Sequence, residues 1–288
     1  MIPNRAGFSK QTVRQPCHFG EWLQGRMGPQ GPVVLVTLIP DGLQLRARKR
    51  AGTRLAVKVA GATASFPVPT RALHRFLSNL GLPQSGYVFA DPPFPVGLGT
   101  GASTATLIAT ARLAGFRGQP ADLARACIAA EGASDPLMFE EPDQLLWASR
   151  EGKVVATGPP VPRAHLLAGF FGPPLPTRAA DTAYADISDL VSAWQRARSL
   201  GDWATFASES ATRCLARRGP SDDPTAQLAR DLGALGWATS HSGAARALIF
   251  APGTLPQGAQ ALMREAGLRS VQPLFTGGKA SQGRGGYA

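Results

Sequence analysis

Between positions 95 and 106 the chain reads Pro-Val-Gly-Leu-Gly-Thr-Gly-Ala-Ser-Thr-Ala-Thr. Glycine at every second position removes the Cβ atoms that keep a polyanion away from backbone N–H groups. A helix-forming run at 103–114 follows at once. Its first turn adds unpaired N–H donors and the positive end of the helix dipole. Loop and helix start together make a seat for phosphate, formed by Pro95, Gly97, Leu98, Gly99, Thr100, Gly101, Ala102, Ser103 and Thr104. The Ser103 and Thr104 hydroxyls suit a phosphate oxygen or a hard cation such as magnesium. The chemistry implied is the holding of a nucleotide polyphosphate.

Two commoner phosphate loops are excluded. A Walker loop ends in Gly-Lys-Ser/Thr, and no lysine lies between Lys58 and Lys153. A dinucleotide fingerprint follows directly on a strand, whereas here Asp91-Pro-Pro-Phe-Pro95 separates the loop from the strand expected at 87–90.

Phosphoryl transfer to a hydroxyl needs a group that orients the hydroxyl and takes its proton. Asp135 is the candidate. Pro136 disfavours helix at the residue before it, so the helix expected at 121–130 ends short of Asp135 and leaves it on a loop. The same Asp-Pro pair also reads as a turn cap. Glu131, four residues earlier, is either a magnesium ligand alongside Ser103 or a solvated helix-end carboxylate.

Five segments in order resemble the GHMP kinases. Pro95-x-Gly-Leu-Gly99 with Ser103-Thr-Ala105 resembles their ATP loop. Pro16-Cys-His-Phe-Gly-Glu-Trp-Leu-Gln-Gly25 is similar to the first motif of the L-threonine kinases of adenosylcobalamin synthesis, Pro-Gly-Ser-Cys-Gly-Glu-Leu-Ile-Gln-Gly. Glu131-Gly-Ala-Ser-Asp135, the 171–182 segment ending in Asp181-Thr182, and Thr239-Ser-His-Ser-Gly-Ala-Ala245 resemble their later motifs. The likeness spans about 15–275. The chain departs from it at Cys17, His18 and Phe19, at Ala102, and at Thr106, where that branch has an acid. The loop from Gly99 to Ser103 is closer to that of the diphosphocytidyl-methylerythritol kinases.

The resemblance implies ATP and Mg2+ as cofactors and Asp135 as catalytic base, with Ser103 and Glu131 on the metal. It places Glu21 on a substrate ammonium, with His18, Asp181 and His241 as further substrate contacts. Ser242 and Gly243 would close the site through their backbone N–H groups. The reaction implied is phosphorylation of L-threonine to L-threonine O-3-phosphate for cobalamin. The rivals are homoserine, an isoprenoid alcohol or a sugar as substrate, or a non-catalytic nucleotide- or nucleic-acid-binding protein on the same fold.

The elements that must position these residues read as α+β. Strands are expected at 32–39, 43–48, 54–59 and 87–90, with Asp41-Gly42 as a hairpin turn between the first two. Helices are expected at 70–80, 103–114 and 121–130. The Pro-rich stretch at 158–162 is the best lobe boundary. Beyond it come a strand at 165–170, helices near 186–200, 203–217 and 224–235, a strand at 247–250, a helix near 257–266 and a strand at 271–275. The resemblance implies a two-domain GHMP-kinase-like fold: a ribosomal protein S5 domain 2-like unit over 1–160 and a ferredoxin-like unit over 161–276. Residues 277–288 read as a flexible tail.

At 288 residues and 44% apolar composition the chain can bury a sizeable core. No apolar run approaches the roughly 20 residues of a membrane span, and the first residues lack a signal peptide's apolar core. Three isolated cysteines form no metal spacing or disulfide set. A cytoplasmic, small-molecule enzyme of unspecified oligomeric state is expected. The net charge of +11 comes from scattered arginines. Their densest cluster, Arg46-Ala-Arg-Lys-Arg50, has no aromatic residue interleaved, so nucleic acid is not an expected partner.

Overall fold

The computed structural model describes residues 8–61, 68–174, 180–181, 183–241 and 243–278. The first half runs β1 (Phe8–Pro16), β2 (Glu21–Arg26), β3 (Val33–Thr37), β4 (Gln44–Arg50), β5 (Leu55–Val59), α1 (Thr70–Asn79), β6 (Gly86–Asp91), α2 (Ala102–Leu113), α3 (Pro120–Glu131), β7 (Leu145–Ala148) and β8 (Lys153–Thr157). The second half runs β9 (Ala164–Phe170), α4 (Ser188–Gln195), α5 (Leu200–Arg218), α6 (Thr225–Asp231), β10 (Gly236–Thr239), β11 (Ala245–Phe250), α7 (Ala259–Glu265) and β12 (Arg269–Thr276). A four-stranded sheet has the order β1-β4-β6-β5, and an eight-stranded sheet the order β12-β9-β11-β10-β2-β3-β7-β8.

The expected hairpin at Asp41-Gly42 does not form. β3 pairs with β2 and β7 in the large sheet, whereas β4 pairs with β1 and β6 in the small one. Gly42 has φ +73° and Leu43 N–H bonds Pro40 C=O at 3.3 Å, so the turn is real, but it hands the chain from one sheet to the other. β1, with its run Ser-Lys-Gln-Thr-Val-Arg-Gln, carries no apolar alternation, and pairing with β4 supplies what its side chains do not. The helix expected at 186–200 is the shorter α4, which stops at Gln195, and α5, expected at 203–217, starts earlier, at Leu200. Ser199 and Asp202 cap α5 reciprocally: Asp202 N–H donates to Ser199 Oγ at 3.2 Å and Ser199 N–H to Asp202 Oδ2 at 2.9 Å.

Residues 158–163 join β8 at one edge of the large sheet to β9 near the other. The two halves meet where β10 lies against β2, with Thr239 opposite Glu21. Of the tail, Gly278 donates its N–H to Asp41 Oδ2 at 3.0 Å, and residues 279–288 lie outside the described residues.

α2 is buried almost all round and packs on β1 and β4, so the helix that starts at the glycine loop is fixed in the core. α5 packs on β2 and β10. Trp22 of β2 and Trp203 of α5 meet edge to face, their rings 5.1 Å apart and both fully buried. That contact locks the strand carrying Glu21. Trp203→Ala therefore costs roughly 3–5 kcal/mol of stability, read as a lower urea midpoint with an unchanged slope.

Candidate functional site

The glycine loop has an ordered and unusual backbone. Gly97, Gly99 and Gly101 have φ of +91°, +81° and +67°, and ordinary residues separate them. Alternation of this kind turns successive N–H groups to one side, the geometry of an anion-binding nest. The loop carbonyls face the protein instead. Leu98 C=O accepts from Ala245 N–H at 3.1 Å, Gly99 C=O from Gly20 N–H at 3.4 Å, and Thr100 C=O from His18 N–H at 3.2 Å. Among the described residues, no N–H from Gly97 to Thr104 has a hydrogen-bond partner in the protein. Leu98, Thr100 and Ala102 bury their side chains, so they reach the seat through backbone alone, and Pro95 stands exposed at its rim.

Absence of a side chain is required at this loop. A Cβ on Gly99 would stand 2.3 Å from Ser240 Cβ, and one on Gly101 2.4 Å from His18 Cδ2. A Cβ on Gly243 would stand 2.4 Å from Gly99 N. Gly243 thus serves by letting the third motif lie against the loop. Its own N–H donates to Ser240 Oγ at 3.1 Å, which corrects the expectation that this N–H faces the site. Ser242 lies outside the described residues.

At the start of α2, Ser103 Oγ donates to Glu131 Oε2 and Thr104 Oγ1 to Glu131 Oε1, both at 2.6 Å. α3 ends at Glu131, with Gly132 at φ +82° turning the chain away. Burial pushes the Glu131 carboxyl up to about 8, against the lowering effect of the two hydroxyls. Two hydroxyls and a carboxylate form the hard oxygen set that magnesium takes, so these residues fit the ion.

Asp135 sits on the loop after α3, as expected. Its N–H donates to Thr104 Oγ1 at 3.4 Å, and its Oδ2 lies 3.2 Å from His18 Nε2. His18 is buried near the start of the first motif, with Nδ1 3.8 Å from Glu21 Oε1. Burial opposes the imidazolium charge, but Asp135 and then Glu21 outweigh it and push the His18 pKa up to about 9. Glu21 is 2% exposed, which excludes a surface role. Burial, with Asp135 adding to it, raises its carboxyl to about 8 against the pull of His18. At neutral pH these shifts leave His18 a cation and Glu21 protonated.

A second cluster adjoins this trio. His241 is 7% exposed and stacks on Tyr184, with ring centres 4.2 Å apart and 10° between planes. Arg218 lies over the other Tyr184 contact at 4.2 Å and pairs with Asp181. Arg150 bonds Asp181 C=O at 3.1 Å and reaches His241 Nε2 at 3.4 Å. Burial and the two arginines hold the His241 pKa well below its ordinary value. Arg218 Nη1 and His241 Nδ1 are buried without hydrogen-bond partners. Arg150, Tyr184 and Arg218 were not legible in the sequence, since no motif surrounds them. The three cysteines are buried and unpaired.

No family model and no curated protein sequence matches the chain. Solved structures do. The L. major mevalonate kinase in complex with R-mevalonate is 14% identical, with 98% of this chain and 100% of that one covered and a TM-score of 0.62. The Methanococcus jannaschii mevalonate kinase is 9% identical, with 94% and 98% covered and a TM-score of 0.62. The homoserine kinase of Cytophaga hutchinsonii is 13% identical, with 93% and 95% covered and a TM-score of 0.54. The chain therefore has the two-domain α+β fold of the GHMP kinases.

Two outcomes follow from the site. Gly99→Ala costs roughly 1–3 kcal/mol, from a left-handed φ and the Ser240 clash, and Ser240→Gly in the same chain recovers part of it in urea denaturation. The pH dependence has a defined sign. His18, Glu21 and Glu131 all have raised folded pKa values, so their contribution is full at low pH and declines as pH rises through those values. The wild-type thermal midpoint is therefore expected to fall as pH rises from about 7 to about 9, and a midpoint that is flat or rising across that interval shows that these groups do not titrate there.

Proposed function

We propose that the chain is an ATP-dependent small-molecule kinase that phosphorylates the hydroxyl of L-threonine, giving L-threonine O-3-phosphate and ADP for cobalamin synthesis. The observation that carries this reading is the placement of Asp135, whose backbone N–H bonds Thr104 Oγ1 at the start of α2, beside a glycine loop whose N–H groups lack partners among the described residues. The loop N–H groups and the α2 start would hold the phosphates. Asp135 would accept the hydroxyl proton as the substrate oxygen bonds to the γ-phosphorus and the bridging oxygen leaves with ADP.

His18 Nε2 holds one Asp135 oxygen, so the other is left to point at the hydroxyl. Ser103 and Glu131 would hold magnesium, which when bound neutralises phosphate charge. Removing Glu131's proton is part of that binding, because its carboxyl is otherwise raised to about 8.

Threonine as substrate rests on the first motif and on charge. A free amino acid brings a carboxylate and an ammonium to the site. Arg150 and Arg218 stand beside the trio with one carboxylate, Asp181, between them. This excess of positive charge supports a substrate with a carboxylate over a neutral sugar or alcohol, and homoserine meets the same requirement. A coupled ADP-release assay over threonine, serine, homoserine, mevalonate and galactose separates these substrates. Turnover highest on threonine is expected, and a preference for any other compound replaces it.

Asp135→Asn keeps the shape and the turn but loses the proton acceptor. Turnover is expected to fall roughly a hundredfold to ten-thousandfold with ATP binding retained. Near-normal turnover on the folded variant would show that Asp135 only shapes its loop.

A further inference from the structure

Arg246 and Asp223 form an ion pair that the site described above does not use. Arg246 Nε lies 2.7 Å from Asp223 Oδ2, and the two side chains are 3% and 5% exposed. Every other arginine–carboxylate pair among the described residues leaves both side chains partly exposed. Taking two charges out of water costs about as much as their attraction returns, so stability alone is a weak reason for such a pair. The remaining bonds of the two side chains are more specific. Asp223 Oδ1 accepts from Thr225 N–H at 3.0 Å and from Thr225 Oγ1 at 2.6 Å, at the start of α6. Arg246 Nη1 donates to Gly243 C=O at 3.2 Å and to Ala245 C=O at 2.9 Å. One flat guanidinium thus joins the start of α6 to the turn between β10 and β11.

That turn lies on the glycine loop. Ala245 N–H donates to Leu98 C=O at 3.1 Å, and a Cβ on Gly243 would stand 2.4 Å from Gly99 N and 2.5 Å from Leu98 C. Gly243 therefore covers the Leu98–Gly99 peptide, whose N–H has no partner among the described residues. It also brings a carbonyl acceptor beside that donor. A glycine peptide turns at little steric cost, and a turned Gly243 carbonyl would compete with phosphate for the Gly99 N–H. In the structure both polar groups of Gly243 are held elsewhere, its N–H on Ser240 Oγ at 3.1 Å and its C=O on Arg246.

We propose that Arg246, set in place by Asp223, is a positioning residue for nucleotide binding: it holds the Gly243 carbonyl off the Gly99 N–H and leaves that donor to a phosphate. Arg246 acts through Gly243 and not on the phosphate itself. The proposal rests on the kinase reading in taking a nucleotide polyphosphate as the ligand of the loop.

The test is titration of the full chain with a ribose-labelled fluorescent ATP in the presence of magnesium, with unlabelled ATP as competitor. Asp223→Leu with Arg246→Met removes both charges together and leaves neither buried alone. It weakens ATP binding roughly tenfold or more, the loss of one charge-assisted hydrogen bond. Arg246→Lys keeps a charge for Asp223 but lacks the fork that reaches the carbonyls as well, and weakens binding about threefold or more; it carries the test if the double variant does not fold. Leu228→Ala, buried on α6, loosens the same region without touching the turn and leaves ATP affinity within about twofold of the wild type. Thermal melting ranks the three variants by stability. A purely structural loss lowers the fraction of chain that binds and the kcat of the ADP-release assay, whereas a lost donor raises the dissociation constant and the KM for ATP. A folded double or lysine variant that binds ATP as tightly as the wild type overturns the proposal and leaves the kinase reading standing. Leu228→Ala weakening ATP binding as much as the pair variants overturns it too, since loosening alone would then account for the effect. A wild type that binds no ATP overturns the kinase reading along with it.

Discussion

Everything at this site depends on three backbone segments approaching closer than side chains allow. Gly20 lies on Thr239, where a Cβ would stand 3.0 Å from the carbonyl carbon. Gly99 lies on Ser240 and Gly243 on Gly99. The first motif, the phosphate loop and the turn after β10 thus form one knot. The β2–β10 pairing and the bond from Gln24 Nε2 to Thr239 C=O at 2.8 Å hold it shut. Since β2 and β10 come from different halves, the same contact that closes the site also fuses the large sheet.

The knot explains how charged groups come to be buried beside an anion seat. His18 and Glu21 flank Gly20 and are carried inside with it. A buried histidine normally loses its charge. Here Asp135 restores it, and the cost of burying Glu21 falls on its proton rather than on an ion pair. The outcome is a fixed positive charge behind the partly exposed Asp135 side chain, next to the glycine loop. The His18 ring fits here only because Gly101 has no Cβ to fill its place.

Helix α2 is the mechanical link. Its N-terminus carries Ser103 and Thr104, its length is core, and Glu131 on the end of α3 ties both hydroxyls. The phosphate seat is consequently as rigid as the hydrophobic core under it.

The sequence by itself determined the glycine loop, the α2 start, and the loop position of Asp135. These are local: alternating glycines, hydroxyls at a helix start and proline after Asp135 act within a few residues. It also determined most helices and the apolar strands, through periodicity. Tertiary structure decided the rest. The turn at Asp41-Gly42 is encoded locally, but whether its two strands pair is settled by strands further off in sequence: β7 beside β3, and β1 and β6 beside β4. β1 has no pattern of its own. The His18–Asp135 pair spans 117 positions, and Arg150, Tyr184 and Arg218 form a cluster only once β7, the 183–187 segment and α5 are packed together. Phe89 and Arg48 likewise become neighbours only by register. Local rules fix what each segment is, whereas long-range pairing, which is paid for in chain entropy and gained in burial, fixes what it meets.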